Sequence, residues 1–144
     1  MPASDCIIST DKSKLQLNVI HGFLTNSYWA KKISPDLIKR SIDNSLCFGV
    51  YDQDKQVGFA RIISDFATFA YLADVFVIED YREKGLSKSL MEFIINYPEL
   101  QNLRRWILAT RDAYGLYLQY GFKPLAIPER WMELHNPDVY RRQK

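Results

Sequence analysis

The run Tyr71-Leu72-Ala73-Asp74-Val75-Phe76-Val77-Ile78 passes directly into Glu79-Asp80-Tyr81-Arg82-Glu83-Lys84-Gly85-Leu86-Ser87-Lys88. The first half has the apolar, β-branched and aromatic density of a buried strand. From Gly85 onward the period changes: Leu86, Leu90, Phe93, Ile94 and Tyr97 recur at helical spacing until Pro98 stops the pattern. A strand feeding a helix through a charged loop leaves backbone N–H groups unpaired at the helix start, where the helix dipole adds partial positive charge, so the place suits a phosphate. Gly85 lets the backbone approach an anion, Ser87 is too small to obstruct it, and Arg82, Lys84 and Lys88 supply charge. The plainer reading of the same loop is a turn with solvated lysines.

Working outward, residues 6–9 read as a short strand, and Val19, Ile20, Phe23, Leu24 and Tyr28 mark one face of a helix. Ser34-Pro35-Asp36 is an N-cap followed by proline in the first turn, with Leu37, Ile38 and Ile42 on the buried side of a second helix. Strand patterns at 46–51, 57–64 and 69–78 follow, the first two forming a hairpin across the polar turn 52–56. Beyond the helix that starts near Gly85, residues 104–109 predict a strand and 113–120 a short helix closed by Gly121. Residues 122–127 and 131–135 predict two last strands. The alternation describes a mixed α/β domain.

A chain of 144 residues with 47% apolar content is one domain's worth of core, and no repeat or linker divides it. Its 19 basic and 17 acidic residues are well mixed, which gives no field that would call for nucleic acid or a membrane surface. Cys6 and Cys47 stand apart from each other and from any His cluster, so reduced thiols are expected and neither a disulfide framework nor a metal site. No apolar run approaches the length of a membrane span and no leader pattern opens the chain, so a soluble cytoplasmic protein is expected.

Val77 followed by Arg82-x-x-Gly85-x-Ser87 resembles the acetyl-CoA segment of the GCN5-related N-acetyltransferase (GNAT) superfamily, Arg/Gln-x-x-Gly-x-Gly/Ala after a strand ending in Val-x-Pro. Glu79 stands at the frequent proline position and Ser87 at the last small residue. About thirty residues on, Thr110-x-x-Ala113-x-x-x-Tyr117-x-x-x-Gly121-Phe122 is similar to the family's second motif, with Thr110 at its frequent Asn. The resemblance covers about residues 46–127, taken as the cofactor-binding core of a single domain over 1–144, with a flexible charged tail at about 138–144. It implies an α/β fold of the α+β type, a central mixed, mostly antiparallel sheet flanked by helices. It also implies an N-acetyltransferase that moves an acetyl group from acetyl-CoA to a primary amine of a small molecule or peptide, by direct attack in a ternary complex and without a metal. Phe76, Val77, Arg82, Glu83, Lys84, Gly85, Leu86, Ser87, Lys88 and Thr110 are the residues it assigns to the cofactor.

The chemistry needs a proton donor for the departing CoA thiolate, and the resemblance gives that role to Tyr117; packing against the core is the competing reading. The amine arrives protonated, and Asp74 on the cofactor strand can accept its proton, orient a water or the ammonium, or simply satisfy donors at a bulge. Family members that place a glutamate on the strand before the tyrosine helix have Arg105 as the counterpart here, which closes that route. A backbone N–H near Phe76 or Val77 is the implied oxyanion donor. Tyr28, Trp29, Arg61 and Arg111 are candidate acceptor contacts, and Asp65, Trp131, Met132 and His135 secondary ones; core packing or surface charge would explain each as well. A monomer or homodimer is expected. A non-catalytic acyl-CoA-binding or regulatory module is the alternative.

Overall fold

Residues 5–142 are described by the computed structural model. A five-stranded sheet carries the molecule, in the order β1 (Ile7–Ser9), β2 (Leu46–Asp52), β3 (Lys55–Ser64), β4 (Phe69–Val77) and β5 (Arg105–Ile107). Every neighbouring pair is antiparallel except β4 and β5, which run parallel. That exception follows from the crossover helix α3 (Leu86–Ile95) between them, since a parallel neighbour cannot be reached by a tight turn.

The central strands are apolar on both sides because helices cover both sides. Phe48, Val50, Val57, Ile62 and Leu72 face Leu86, Leu90, Met91 and Ile94 of α3. Cys47, Phe59 and Phe76 face α1 (Leu17–Leu24) and α2 (Pro35–Asp43) through Ile20, Leu24, Ile38 and Ile42. Local chemistry starts α2. The Ser34 hydroxyl accepts from the Leu37 amide at 3.3 Å, with Pro35 at the helix start and Asp36 in its first turn. The wholly buried Gln56 accepts from the Gln16 amide at 2.7 Å and donates to the Gly58 carbonyl at 3.0 Å, which ties the start of α1 to the β2–β3 hairpin.

Three expectations are corrected. The first helix ends at Leu24, so Tyr28 does not continue its face but sits with Trp29 in the loop after it. The strand expected at 104–109 is only Arg105–Ile107. The strands expected at 122–127 and 131–135 do not form: the chain there has no regular structure apart from a 3-10 turn at Pro128–Arg130. Pro124, inside the first of these segments, lacks the amide donor that a strand alongside β5 would need, and Pro128 opens the turn between the two. Residues read as tail take a 3-10 turn at Val139–Arg142, with Tyr140 half-buried against the α1 and α2 cluster; residues 143 and 144 lie outside the described chain.

Candidate active site

Strand β4 carries one residue more than its partner. Phe59 pairs with Phe76 and Arg61 with Ala73, so Asp74 and Val75 share the space opposite one residue of β3. Such a bulge bends the strand and re-aims its side chains, and Asp74 takes φ +56 to make it. Its carboxylate is held on both oxygens: Oδ2 accepts from Arg61 Nε at 2.9 Å and Oδ1 from Trp29 Nε1 at 2.8 Å. Arg61 in turn donates to Ser45 Oγ at 3.1 Å, and the Arg61 and Asp74 side chains are only 16% and 11% exposed.

On its other side β4 pairs with β5 only from Phe69 to Tyr71. Beyond Tyr71 the two strands part, which leaves the backbone of β4 open toward α4 (Tyr114–Leu118). The Ile78 amide bonds to Val57 and so faces β3, and alternation turns the N–H and C=O of Val77 into the opening. Arg82 Nε uses that carbonyl at 3.0 Å.

The loop between β4 and α3 leaves an unusual run of donors. Among the described residues, the amides of residues 83–88 have no hydrogen-bond partner, because no side chain caps the helix and Gly85 stands at its N-cap with φ +81. A Cβ at Gly85 would meet nothing within 4 Å, so glycine is there for its left-handed backbone rather than for space. Leu86 is buried beneath the loop and anchors it, while Glu83, Lys84 and Lys88 are exposed around it. The Lys84 ammonium lies 5.2 Å from the Tyr81 ring centroid, and the Lys88 carbonyl accepts from Tyr120 Oη at 3.0 Å.

Thr110 begins the second wall: its Oγ1 accepts from the Ala113 amide at 3.0 Å and shapes the entry to α4. That helix presents Tyr117, 8% exposed and edge-on to Phe122 at 6.0 Å. The Tyr117 hydroxyl bonds to no described residue, yet it is not among the sealed-off polar atoms, so it opens to the cleft. Burial, with smaller contributions from Tyr28 and Asp112, pushes its pKa up to about 12. Burial does the same to Tyr51, also to about 12, and to the Cys47 thiol, to about 11.

A stability prediction follows from these three groups. Each has a folded pKa above its unfolded value, so its contribution is intact below the unfolded value and is lost as pH rises toward the folded one. Against ordinary values of 9.0 for the thiol and 10.0 for the phenols, the melting temperature is expected to fall steadily between about pH 9 and 12. Thermal melts across that range check it, with absorbance at 295 nm expected to show these tyrosines ionising only as the protein unfolds. A flat melting temperature up to pH 11 would contradict it.

Opposite Tyr117, Phe23 stacks on Phe76 at 4.1 Å and 9°, Trp29 tilts against Phe23 at 6.2 Å, and Tyr28 meets Trp29 edge-on at 5.0 Å. The Arg111 guanidinium covers the Tyr28 ring at 3.8 Å, and the Arg111 amide donates to Tyr28 Oη at 3.2 Å. The open cleft between these walls has a volume of about 810 Å³. It brings together Tyr28, Trp29, Phe76, Val77, Arg82, Ser87, Arg111 and Tyr117 from distant parts of the sequence. Arg61 and Asp74 stand behind its wall through Trp29, and Thr110, Glu83, Lys84, Gly85, Leu86 and Lys88 frame it without lining it.

Phe23 and Lys31 also line the cleft, although the sequence offered no reason to single them out: Phe23 lay on a helical core stripe and Lys31 in a polar loop. Asp65, Trp131, Met132 and His135 do not line it. Asp65 instead caps the β3–β4 turn by accepting from the amide and hydroxyl of Thr68 and from the amides of Ala67 and Phe69, which holds its carboxyl well below the usual range. No group of three His, Cys, Asp or Glu side chains among the described residues could hold a metal ion, and no described helix is long and apolar enough to cross a membrane.

A sheet that parts beside a bulged strand, above a helix start with free amides, suits an extended anionic ligand, and sequence comparison names the class. The profile described as "Acetyltransferase (GNAT) domain" matches residues 43–124, and the chain belongs to that family. A protein of Gibberella zeae named as an acetyltransferase is 29% identical over 136 residues, which covers 78% of this chain and 76% of that one. A crystal structure of a GNAT-family acetyltransferase from Xanthomonas campestris pv. campestris is 50% identical, covers 94% of this chain and 96% of its own, and superposes with a TM-score of 0.92. An acetyltransferase from Clostridium acetobutylicum, solved with acetyl-CoA, shares the fold at a TM-score of 0.63 and 15% identity, over 90% of this chain and 94% of its own. The protein is thus an acyltransferase of a family whose acyl donor is acetyl-CoA.

Proposed function

We propose that the protein transfers an acetyl group from acetyl-CoA to a primary amine of a small molecule or peptide by direct attack within a ternary complex. The observation that carries this is the run of unpartnered amides at residues 83–88 in the same structure as a buried, open-facing Tyr117 hydroxyl across the cleft. The amides suit the pyrophosphate, with Arg82, Lys84 and Lys88 as charge around it. The parted edge of β4 suits the extended arm of the cofactor, and the Val77 amide, pointing into the opening, suits the thioester oxygen.

In this reading the amine nitrogen attacks the thioester carbon, negative charge builds on the carbonyl oxygen, and the carbon–sulfur bond then breaks. The leaving thiolate takes its proton from Tyr117 Oη. A phenol pushed up to about 12 stays protonated at neutral pH but is a reluctant donor, so the transfer has to accompany sulfur's departure. With both Asp74 oxygens engaged, that residue orients Trp29 and the acceptor wall, and the ammonium proton leaves through water. Tyr28, Trp29 and Arg111 then form the acceptor side.

Acetyl-CoA binds the folded state in this proposal, so cofactor at a hundred times its Kd is expected to raise the melting temperature by roughly 5–10 °C. No shift at millimolar cofactor would overturn the proposal. Release of CoA thiol, screened over amino acids, polyamines, aminoglycosides, other amines and peptides, tests the transfer itself. Cofactor binding without amine-dependent release from any of them would favour a non-catalytic acyl-CoA-binding module.

A further inference from the structure

Apart from Tyr28 and Tyr117, the ionisable side chains that line the cleft are Lys31, Arg82, Arg111 and Asp112. Arg82 stands on the cofactor loop with its Nε on the Val77 carbonyl, which leaves the acceptor side with two cations and one carboxylate. Neither Lys31 nor Arg111 joins an ion pair among the described residues. Asp74 adds no free negative charge, because both of its oxygens are engaged behind the wall.

The Arg111 guanidinium is positioned before any ligand arrives. It lies over the Tyr28 ring at 3.8 Å, and its own backbone amide donates to Tyr28 Oη at 3.2 Å, so residue and ring are tied at two points. A stacked guanidinium keeps its N–H donors around the rim, and none of them has a partner among the described residues. A carboxylate matches that rim, being planar with two oxygens spaced for a pair of N–H groups. The free amides that would suit a phosphate belong instead to the cofactor loop.

The loop that carries Tyr28, Trp29 and Lys31 is equally fixed. The buried Ser27 hydroxyl donates to the Leu24 carbonyl at 2.7 Å and accepts from the Ala30 amide at 3.1 Å, and the Lys32 amide reaches back to the Thr25 carbonyl at 2.9 Å. Tyr28 and Trp29 nevertheless remain exposed, which leaves ring surface for the body of an acceptor. Burial first, and then Tyr28 and Asp112, raise the pKa of Tyr117, which places the Asp112 carboxylate within electrostatic reach of the reacting hydroxyl. Negative charge therefore stands where an ammonium would arrive, and unpaired positive charge at Arg111 and Lys31.

We infer that the acceptor is an aminocarboxylate, an amine whose own carboxylate is taken by the Arg111 guanidinium with Lys31 adding charge, while its body lies against Tyr28 and Trp29. The inference rests on the acetyl-transfer reading and narrows it: polyamines and aminoglycosides bring further positive charge toward two cations and are poor acceptors. The bonds made and broken are those of the transfer itself, and the carboxylate takes no part in them. Arg111 is a specificity-determining residue.

Thiol release over matched pairs tests this, each standard amino acid, β-alanine and γ-aminobutyrate against its carboxamide, with spermidine and phosphoethanolamine as contrasts. The best acceptor is expected to exceed its own carboxamide by at least about tenfold in kcat/KM. Arg111→Gln removes the charge at an exposed position, and is expected to raise KM for that acceptor by at least about tenfold with kcat within about threefold. The carboxamide's kcat/KM and the Kd of acetyl-CoA are expected to change by less than about twofold in the same variant. Comparing the two proteins cancels the difference in basicity between acid and amide. Equal losses on acid and carboxamide would make Arg111 a support of the wall and overturn the inference. So would a best acceptor among spermidine, phosphoethanolamine or the carboxamides, with the transfer reading intact in either case. No thiol release from any amine would instead remove the transfer reading, and the aminocarboxylate with it.

Discussion

Tyr117→Phe is expected to lower turnover by about 10²- to 10⁴-fold, the range that a positioned acid contributes, while acetyl-CoA affinity changes by less than about twofold. The split follows from where the hydroxyl stands. The ring does the packing, edge-on to Phe122, and phenylalanine keeps it. The hydroxyl bonds to no described residue, so its loss leaves no orphaned partner and costs little stability. Only a reacting group that approaches the open end of Tyr117 would notice. Single-turnover thiol release and equilibrium binding of acetyl-CoA, measured on the same preparation, separate the two effects. Unchanged turnover would remove Tyr117 as the donor, and a parallel loss of affinity would make it a packing residue of the cofactor site.

Asp74→Ala is expected to destabilise the fold by about 2–4 kcal/mol, slightly below the cost of breaking a fully buried pair because both partners keep some solvent contact. The change leaves the Arg61 guanidinium largely enclosed without its counter-charge and frees Trp29 from its hydrogen bond. Asp74→Asn is the informative companion. Asparagine tolerates the left-handed φ of +56 at this bulge and can still accept from Trp29, so it keeps the wall while removing the charge. If Asp74 positions the acceptor side, the Asn variant retains turnover within about tenfold and the acid limb of its pH–rate profile stays in place. Equal losses in the two variants, with that limb abolished, would make Asp74 the base. Urea denaturation and pH–rate profiles of both variants make the measurement.

Much of the site was legible because its signals are local. A strand that ends in a charged loop with one glycine before a helical period needs no tertiary information, since helix starts lack intrahelical partners wherever they occur. The same holds for Ser34-Pro35-Asp36 and for the closure of α4 by Gly121, which takes φ +91. The roles of Asp74 and Arg61 were not legible. They are 13 residues apart on neighbouring strands, and only the bulge sets their register. Trp29 reaches Asp74 across 45 residues, and Arg111 reaches Tyr28 across 83. No periodicity encodes such pairs.

Residues 122–136 mark the other boundary. Their apolar and aromatic residues read as strand, but no ladder forms there among the described residues, because a strand also needs a neighbour. Whether β5 supplies it depends on where these residues leave the sheet and on which of them retain donors. The order of elements, the helix caps and the anion-ready loop thus belong to the sequence itself, because each is set by residues within a turn or two of one another. The engaged carboxylate and the aromatic wall belong to the tertiary structure, because each depends on groups that the chain brings together only by folding.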